Sequence, residues 1–371
     1  MDNVKSTFFF ALSDCPPSRK QISKRTKIVV QMDNSQNITI GKRRYIGCKA
    51  KLAEWIMQTI DAETDNINSF CDIFAGTAII SDLAIKKYEK VIINDFLFSN
   101  NLIYKAFFEV GIADEAKLLS IINAFNQIDA DKLADNYFSV NYGGKFFDYQ
   151  TAKKIGYIRE AIENQKHSLS EKEYNILIAS LIYSIDKIAN TLGHYEAYIK
   201  KEIKPQNLQI KLIDYKQYNN VEIYQDDSNH LVREIAADIF YIDPPYNSRQ
   251  YSRFYHLYEN LVKWNKPALS GTAMKPAEEN MSEYCSSRAA KAFEDLILHL
   301  NTRYIAVSYN NTYHSKSSSS RNKITLDEIT EILSKRGETK IFEHSHQFFN
   351  AGKTDFSNHK ELLFITKVNE E

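Results

Sequence analysis

An α/β fold is what this 371-residue sequence predicts, and three observations carry that expectation. Two short runs, SFCDIF (Ser69–Phe74) and KVIIND (Lys90–Asp95), are largely apolar, as strands buried on both faces of a parallel sheet must be. Between them stand the turn AGT and an apolar helix, AIISDLAIKKY, which completes a βαβ unit. Strand-like runs then vanish over about a hundred residues of helical pattern and resume afterwards, so a Rossmann-like sheet interrupted by a largely helical insertion is expected.

The elements follow in order. Residues 1–40 mix basic and turn-forming side chains and read as an N-terminal arm. KLAEWIMQTI (Lys51–Ile60) has helical period, and after the βαβ unit FLFSNNLIYKAFFEVG (Phe96–Gly111) returns to helix. Residues 112–218 hold three helical patterns joined by lysine-rich linkers: EAKLLSIINAFN, AKKIGYIREAIENQ and EKEYNILIASLIYSIDKIANT. The runs VEIYQ, DIFYI, RYIAVSY, KIFEHSHQFF and ELLFITKV then supply further strands. The organisation expected is an arm at 1–40, the first half of the α/β domain at 41–111, the insertion at 112–218 and the second half at 219–371. SKSSSSR (Ser315–Arg321) is a short low-complexity loop, and no internal repeat is visible.

Composition excludes several classes. The chain is 43% hydrophobic and 25% charged, the balance of an ordinary globular protein. No apolar run approaches the roughly 20 residues that cross a membrane, and the acid ahead of the short FFFAL cluster argues against a signal peptide. Four scattered cysteines without a C-x-x-C pair speak against a disulfide framework or zinc cluster and for a cytoplasmic location. His194, His256, His344 and His346 lack metal-ligand spacing, so no metal is expected. Lys plus Arg and Asp plus Glu are both 47, so net charge gives no hint of a polyanionic partner. Basic clusters do occur, at Ser18–Lys27, Gly41–Lys51 and Tyr198–Lys204, each of which reads by itself as a solvated face.

Two motifs carry chemistry. DIFAGTA (Asp72–Ala78) is a strand-to-helix turn in which Gly76 lets the backbone pass close to a ligand. Asp95 closes the following strand, where an acid can grip the hydroxyls of a ribose. A plain tight turn explains these residues equally well, and the absence of G-x-G-x-x-G speaks against NAD or FAD. The second motif is sharper. In FYIDPPYNSRQY (Phe240–Tyr251) a buried strand ends on Asp243, and two prolines remove backbone donors and stiffen the loop. The Asp243 carboxylate and the Pro244 carbonyl together suit an amino group with two N–H donors, and Tyr246 offers a face on which a planar base can stack. A strand terminator with a capping Asp explains neither Pro245 nor Tyr246.

D-P-P-Y together with D-x-F-A-G-T resembles the DNA adenine N6-methyltransferases of class α, in their Dam-like and type II restriction–modification branch. RRYIGCKAKL, ANTLGHYEAYIK and DPPYNSRQYSRFYH occur in that family's order, and the resemblance runs from about Arg43 to Val368. It implies a Rossmann-like methyltransferase sheet whose helical insertion is a target-recognition domain. It further implies S-adenosyl-L-methionine as cofactor, double-stranded DNA as substrate and a cognate restriction endonuclease as partner. By the same resemblance Tyr45, Lys49, Asp72, Phe74, Gly76, Asp95 and Asp227 bind the cofactor, with Asp226 not separable from Asp227 and Lys49 suited to the cofactor carboxylate. Asp243, Pro244, Pro245 and Tyr246 form the catalytic loop that receives a flipped adenine. Arg249, Gln250 and Arg253 are expected at the DNA, as are Tyr309 and Asn310 in SYNNTYH. The chain departs from the family at Ala78, where a second glycine is usual. Alternatives are a methyltransferase for RNA or another amino group, and a DNA-binding protein that has lost catalysis.

Overall fold

The computed structural model describes residues 38–245, 247–311, 322–345 and 360–370. The strands are β1 (Ser69–Asp72), β2 (Lys90–Asn94), β3 (Val221–Tyr224), β4 (Ile239–Ile242), β5 (Tyr304–Asn310), β6 (Gly337–Ser345) and β7 (Lys360–Val368). They form one sheet in the order β3-β2-β1-β4-β5-β7-β6. The first five in that order run parallel, and β7 is antiparallel to both β5 and β6. All seven predicted strands therefore exist. Of KIFEHSHQFF only the part through Ser345 falls among the described residues.

Alternation along the strands explains the layers. Phe70, Ile239, Tyr241 and Ala306 face one apolar cluster, while Cys71, Phe240, Ile242, Ile305 and Val307 face another. Helices cover both faces, which is why the central strands read as continuous apolar runs. Before β1 lies α1 (Ala53–Glu63), and α2 (Ile79–Ala84) and α3 (Phe98–Phe108) flank β2. The insertion supplies α4 (Glu115–Asn126), α5 (Tyr137–Tyr142), α6 (Tyr149–Asn164) and α7 (Glu171–Ile188). After β3 come α8 (Ser228–Leu231), α9 (Tyr251–Phe254), α10 (His256–Lys263), α11 (Ala289–His299) and α12 (Leu326–Ser334).

The insertion is not a separate body. Residues 37–371 form one compact unit, and α7 is buried through most of its length, from Lys172 to Asp186. Ile176, Ile178, Leu181 and Ile185 share one apolar cluster with Phe70 and Tyr241 of the sheet. Ser170 starts α7 with a capping box, its hydroxyl accepting from Glu173 N at 3.0 Å while Glu173 accepts from Ser170 N at 2.9 Å. Among the described residues no helix is long and apolar enough to cross a membrane.

Candidate active site

Strand order reverses between β1 and β4, so the connections leaving their carboxyl ends diverge and open a crevice there. An open cleft occupies that place. Its walls come from Tyr45–Lys49, the turn after β1, the end of β2, Asp226–Ser228 and the loop after β4.

The turn after β1 is fixed by hydrogen bonds to its own neighbours. Asp95 accepts from Gly76 N and from Leu97 N, both at 2.9 Å, and the Tyr104 hydroxyl donates to Gly76 O at 2.7 Å. Burial raises the Asp95 carboxyl above its ordinary value, against the pull of those N–H groups. Gly76 has φ +53°, and a Cβ there would lie 3.4 Å from the Tyr45 ring. The left-handed conformation is what suits glycine to the position, the Tyr45 contact being an ordinary one. Ala78 has φ +55°, so the residue standing where the family has glycine keeps the left-handed backbone and buries its methyl completely.

Asp72 is 1% exposed, and its Oδ2 accepts from Ser81 Oγ at 2.6 Å. Its Oδ1 is buried with no hydrogen-bond partner among the described residues, on a residue that lines the cleft. Burial pushes this carboxyl up to about 7, opposed by the Ser81 hydrogen bond and reinforced by the charges of Asp243 and Asp95. Asp226 and Asp227 both line the cleft but are used differently. Asp226 pairs with His230 Nδ1 at 2.9 Å, whereas Asp227 caps α8 by accepting from Asn229 N at 2.9 Å.

The loop after β4 forms the opposite wall. Asp243, Pro244 and Pro245 line the cleft, whereas Tyr246 lies outside the described residues. Lys49 does not stand alone facing the cleft. Its Nζ lies 3.2 Å from Asp243 Oδ1 and 3.6 Å from Glu361 Oε2. Burial by itself would lower this ammonium, but the two carboxylates raise it above an ordinary lysine. Lys49 and Arg43, at 5% and 3% exposure, correct the expectation that the Gly41–Lys51 cluster is a solvated face. Arg43 donates to Asn100 Oδ1 at 2.6 Å and stands over the Tyr45 ring at 5.0 Å. Tyr45 in turn stacks on Tyr255 at 4.4 Å between centroids.

Several expected DNA contacts are occupied by the protein. Gln250 Nε2 donates to Ser282 O at 2.9 Å and its Oε1 accepts from Ser282 N at 2.7 Å. Arg253 donates to Pro276 O at 2.8 Å. Both residues brace the 264–288 segment against the loop after β4. Arg249 is half-buried with its guanidinium 5.9 Å from the Phe254 ring centroid. Tyr309 is fully buried and donates to Ile324 O at 3.1 Å, and Asn310 is 6% exposed. Expectation and structure part here for a plain reason: β5 is an inner strand, so side chains on both of its faces are covered. In GHYEAYIKK, His194 stacks on Phe254 at 4.7 Å and Tyr195 is buried, while Lys200 and Lys201 are exposed.

Glu361 escaped the sequence reading because ELLFITKV reads as a plain apolar strand. The one available signal was an acid opening an otherwise buried run. Asp186 on α7 was also missed, though it accepts from Arg44 N at 2.9 Å and from the Tyr258 hydroxyl at 2.5 Å.

Comparison with known proteins is consistent with this architecture. Residues 45–316 match the model of the D12 class N6 adenine-specific DNA methyltransferases. The chain is 30% identical over 331 residues to the type II methyltransferase M.NlaIII of Neisseria lactamica, covering 85% of this chain and 95% of that one. It is also 30% identical over 335 residues to M.CviAII of Paramecium bursaria Chlorella virus 1, covering 87% and 98% of the two chains. Against modification methylase StsI of Streptococcus sanguinis identity is 34% over 286 residues, spanning 72% of this chain but only 44% of that relative. An acid-lined cleft at the switch point of the sheet and a match through both of its walls lead to one conclusion: the chain belongs to the D12 class of N6 adenine-specific DNA methyltransferases.

Proposed function

We propose that this enzyme methylates adenine N6 within a specific double-stranded DNA sequence, with S-adenosyl-L-methionine as donor, as the modification component of a type II restriction–modification system. The observation that carries the reading is that one cleft joins the Asp72–Asp95 turn to Asp243. A donor and an amino-bearing base can meet there without any intervening wall.

The residues fit the donor. The buried Asp72 Oδ1, without a partner among the described residues, suits a cationic amino group entering the cleft. Asp95 and Asp227 offer carboxylates for ribose hydroxyls and for an adenine amine, with Phe74 and Gly76 forming apolar and close-backbone wall between them. When bound, the donor supplies an electrophilic methyl group on a sulfonium.

The chain's own contribution is orientation and charge. Adenine inside a duplex is paired and stacked, so it must be flipped out, at a cost of a few kcal/mol. Stacking on Tyr246 and hydrogen bonds to Asp243 and Pro244 would offset that cost. The N6 lone pair is delocalised into the ring, so N6 is a weak nucleophile. Accepting both of its N–H groups favours tetrahedral geometry, and the Asp243 carboxylate stabilises the positive charge that develops on N6. Lys49, already paired with Asp243, belongs to this end of the cleft rather than to the donor carboxylate.

Asp243→Ala tests the reading. Transfer of labelled methyl to duplex DNA is expected to fall by at least about 10³-fold, while calorimetric donor affinity stays within about twofold. Activity near that of the unsubstituted enzyme would sink the assignment. Single-molecule sequencing of DNA from cells expressing the chain identifies the modified base and its context.

A further inference from the structure

Glu361 stands where no catalytic function had been expected. It is the second residue of β7, and it pairs in register with Asn310 at the carboxyl end of β5. Because β7 runs antiparallel, its beginning lies at the same end of the sheet as the ends of β4 and β5, beside the catalytic loop. Glu361 is 5% exposed, and its Oε2 lies 3.6 Å from the Lys49 ammonium, which also holds Asp243 Oδ1 at 3.2 Å. Two carboxylates are thus balanced on one ammonium at one enclosed position.

That balance bears directly on the reaction. A lone Lys49–Asp243 pair would be neutral, and its carboxylate would offer a developing cation little net field. Such a pair would also resist rearrangement when the amine of a base arrives, because breaking it strands a buried lysine. A second carboxylate on the same ammonium changes both terms. It supplies a counter-charge that stays in place whatever happens at Asp243, and it restores negative potential at the loop.

We propose that Glu361 is a positioning residue for methyl transfer, sharing Lys49 so that the ammonium is not committed to Asp243 alone when the target amine arrives. The inference rests on the reading of Asp243 as the amine-accepting carboxylate. It predicts a rate effect with little binding effect, which a merely structural residue would not produce.

The test compares E361Q, E361D and D243N in the full-length enzyme. It uses single-turnover methyl transfer to duplex DNA at saturating donor, with calorimetric donor affinity, DNA affinity and melting temperature measured in parallel. E361Q keeps the shape and loses the charge. Its transfer rate is expected to fall by at least about tenfold, with both affinities within about twofold of the unsubstituted enzyme. E361D keeps the charge and is expected to recover most of that rate. An E361Q enzyme within about threefold of the unsubstituted rate, beside an inactive D243N, would overturn the role of Glu361 alone. Failure of E361D to exceed E361Q would overturn it too, as would a rate loss accounted for by weaker binding or a lowered melting temperature. Full activity in D243N would instead remove the assignment of Asp243 on which the inference stands.

Discussion

The turn after β1 and the loop after β4 face each other across one cleft, yet they are held in place by different means. The turn is fixed by short-range hydrogen bonds. Ala75 N donates to Asn94 O at 2.9 Å, Ala78 N to Ala75 O at 2.6 Å, and Gly76 is gripped from both sides by Asp95 and Tyr104. The loop carries two consecutive residues, Pro244 and Pro245, that have no N–H to donate, so it cannot be built the same way. Its acid is held by charge, through Lys49, and its far end by the Gln250–Ser282 pairing. The difference teaches what each side is for. On the proposed assignment, a wall that must match a donor of fixed shape is made of geometry, whereas a wall that must stabilise charge appearing during reaction is made of electrostatics.

The contrast can be broken most decisively at Asp95. Its carboxylate ties both the turn and the start of the following segment, and each charge-assisted bond contributes about 1.5–3 kcal/mol. Asp95→Ala is therefore expected to lower unfolding free energy by about 3 kcal/mol or more and to abolish measurable donor binding, as read by denaturant titration and calorimetry. Asp243→Ala should leave the denaturant midpoint nearly unchanged. Equal stability losses in the two variants would erase the distinction.

Gly76→Ala probes the geometric wall alone. The left-handed backbone costs a non-glycine residue about 1–2 kcal/mol, and the added methyl would come into contact with the Tyr45 ring. Donor affinity is expected to weaken by about tenfold while the rate at saturating donor changes little. A rate loss at saturation would mean the turn also serves the chemical step.

Asp72 predicts a pH dependence of definite sign. Its folded-state carboxyl sits at about 7 against an ordinary 3.8, so the folded protein binds the proton more tightly than the unfolded chain. Its contribution to stability is present at low pH and is lost as pH rises from about 4 to 7. Donor affinity should move the other way, strengthening as the carboxylate forms and levelling above about pH 7. Asp72→Asn is expected to flatten both profiles in melting and calorimetric series, and an unchanged slope would remove Asp72 as their source.

The smallest effect is expected at Ala78. Relief of left-handed strain by Ala78→Gly favours the variant by about 1–2 kcal/mol. Loss of a fully buried methyl and the added freedom of the unfolded chain oppose it by about the same amount. The net change in stability should lie within about 1 kcal/mol, and a larger shift in either direction would show that one of these terms is misjudged.

Much of this was legible beforehand, and the exceptions have physical causes. All seven strands and the two acid-bearing loops declare themselves through local pattern, since burial on both faces leaves a continuous apolar run and proline ends it. Glu361 and Asp186 do not, because their partners are 312 and 142 residues away in the chain and no local periodicity marks such a pairing. Gln250 and Arg253 are ambiguous in the sequence for the complementary reason. Polar side chains beside a catalytic loop suit contact with DNA or contact with the protein equally well until the 264–288 segment is seen folding back against them. The expectation of Tyr309 at the DNA rests on its place at the end of the strand RYIAVSY and leaves out the cover that an inner strand acquires.

The depth of α7 sets a limit on how this enzyme can be altered. Asp186 ties Arg44 to the helix and reaches the Tyr258 hydroxyl, so the middle of the chain cannot be lifted out as a cassette. A chimera that takes residues 112–218 whole from a relative must rebuild the floor beneath its own catalytic wall. Exchanges that spare 171–188 and swap only the flanking stretches should yield folded hybrids far more often.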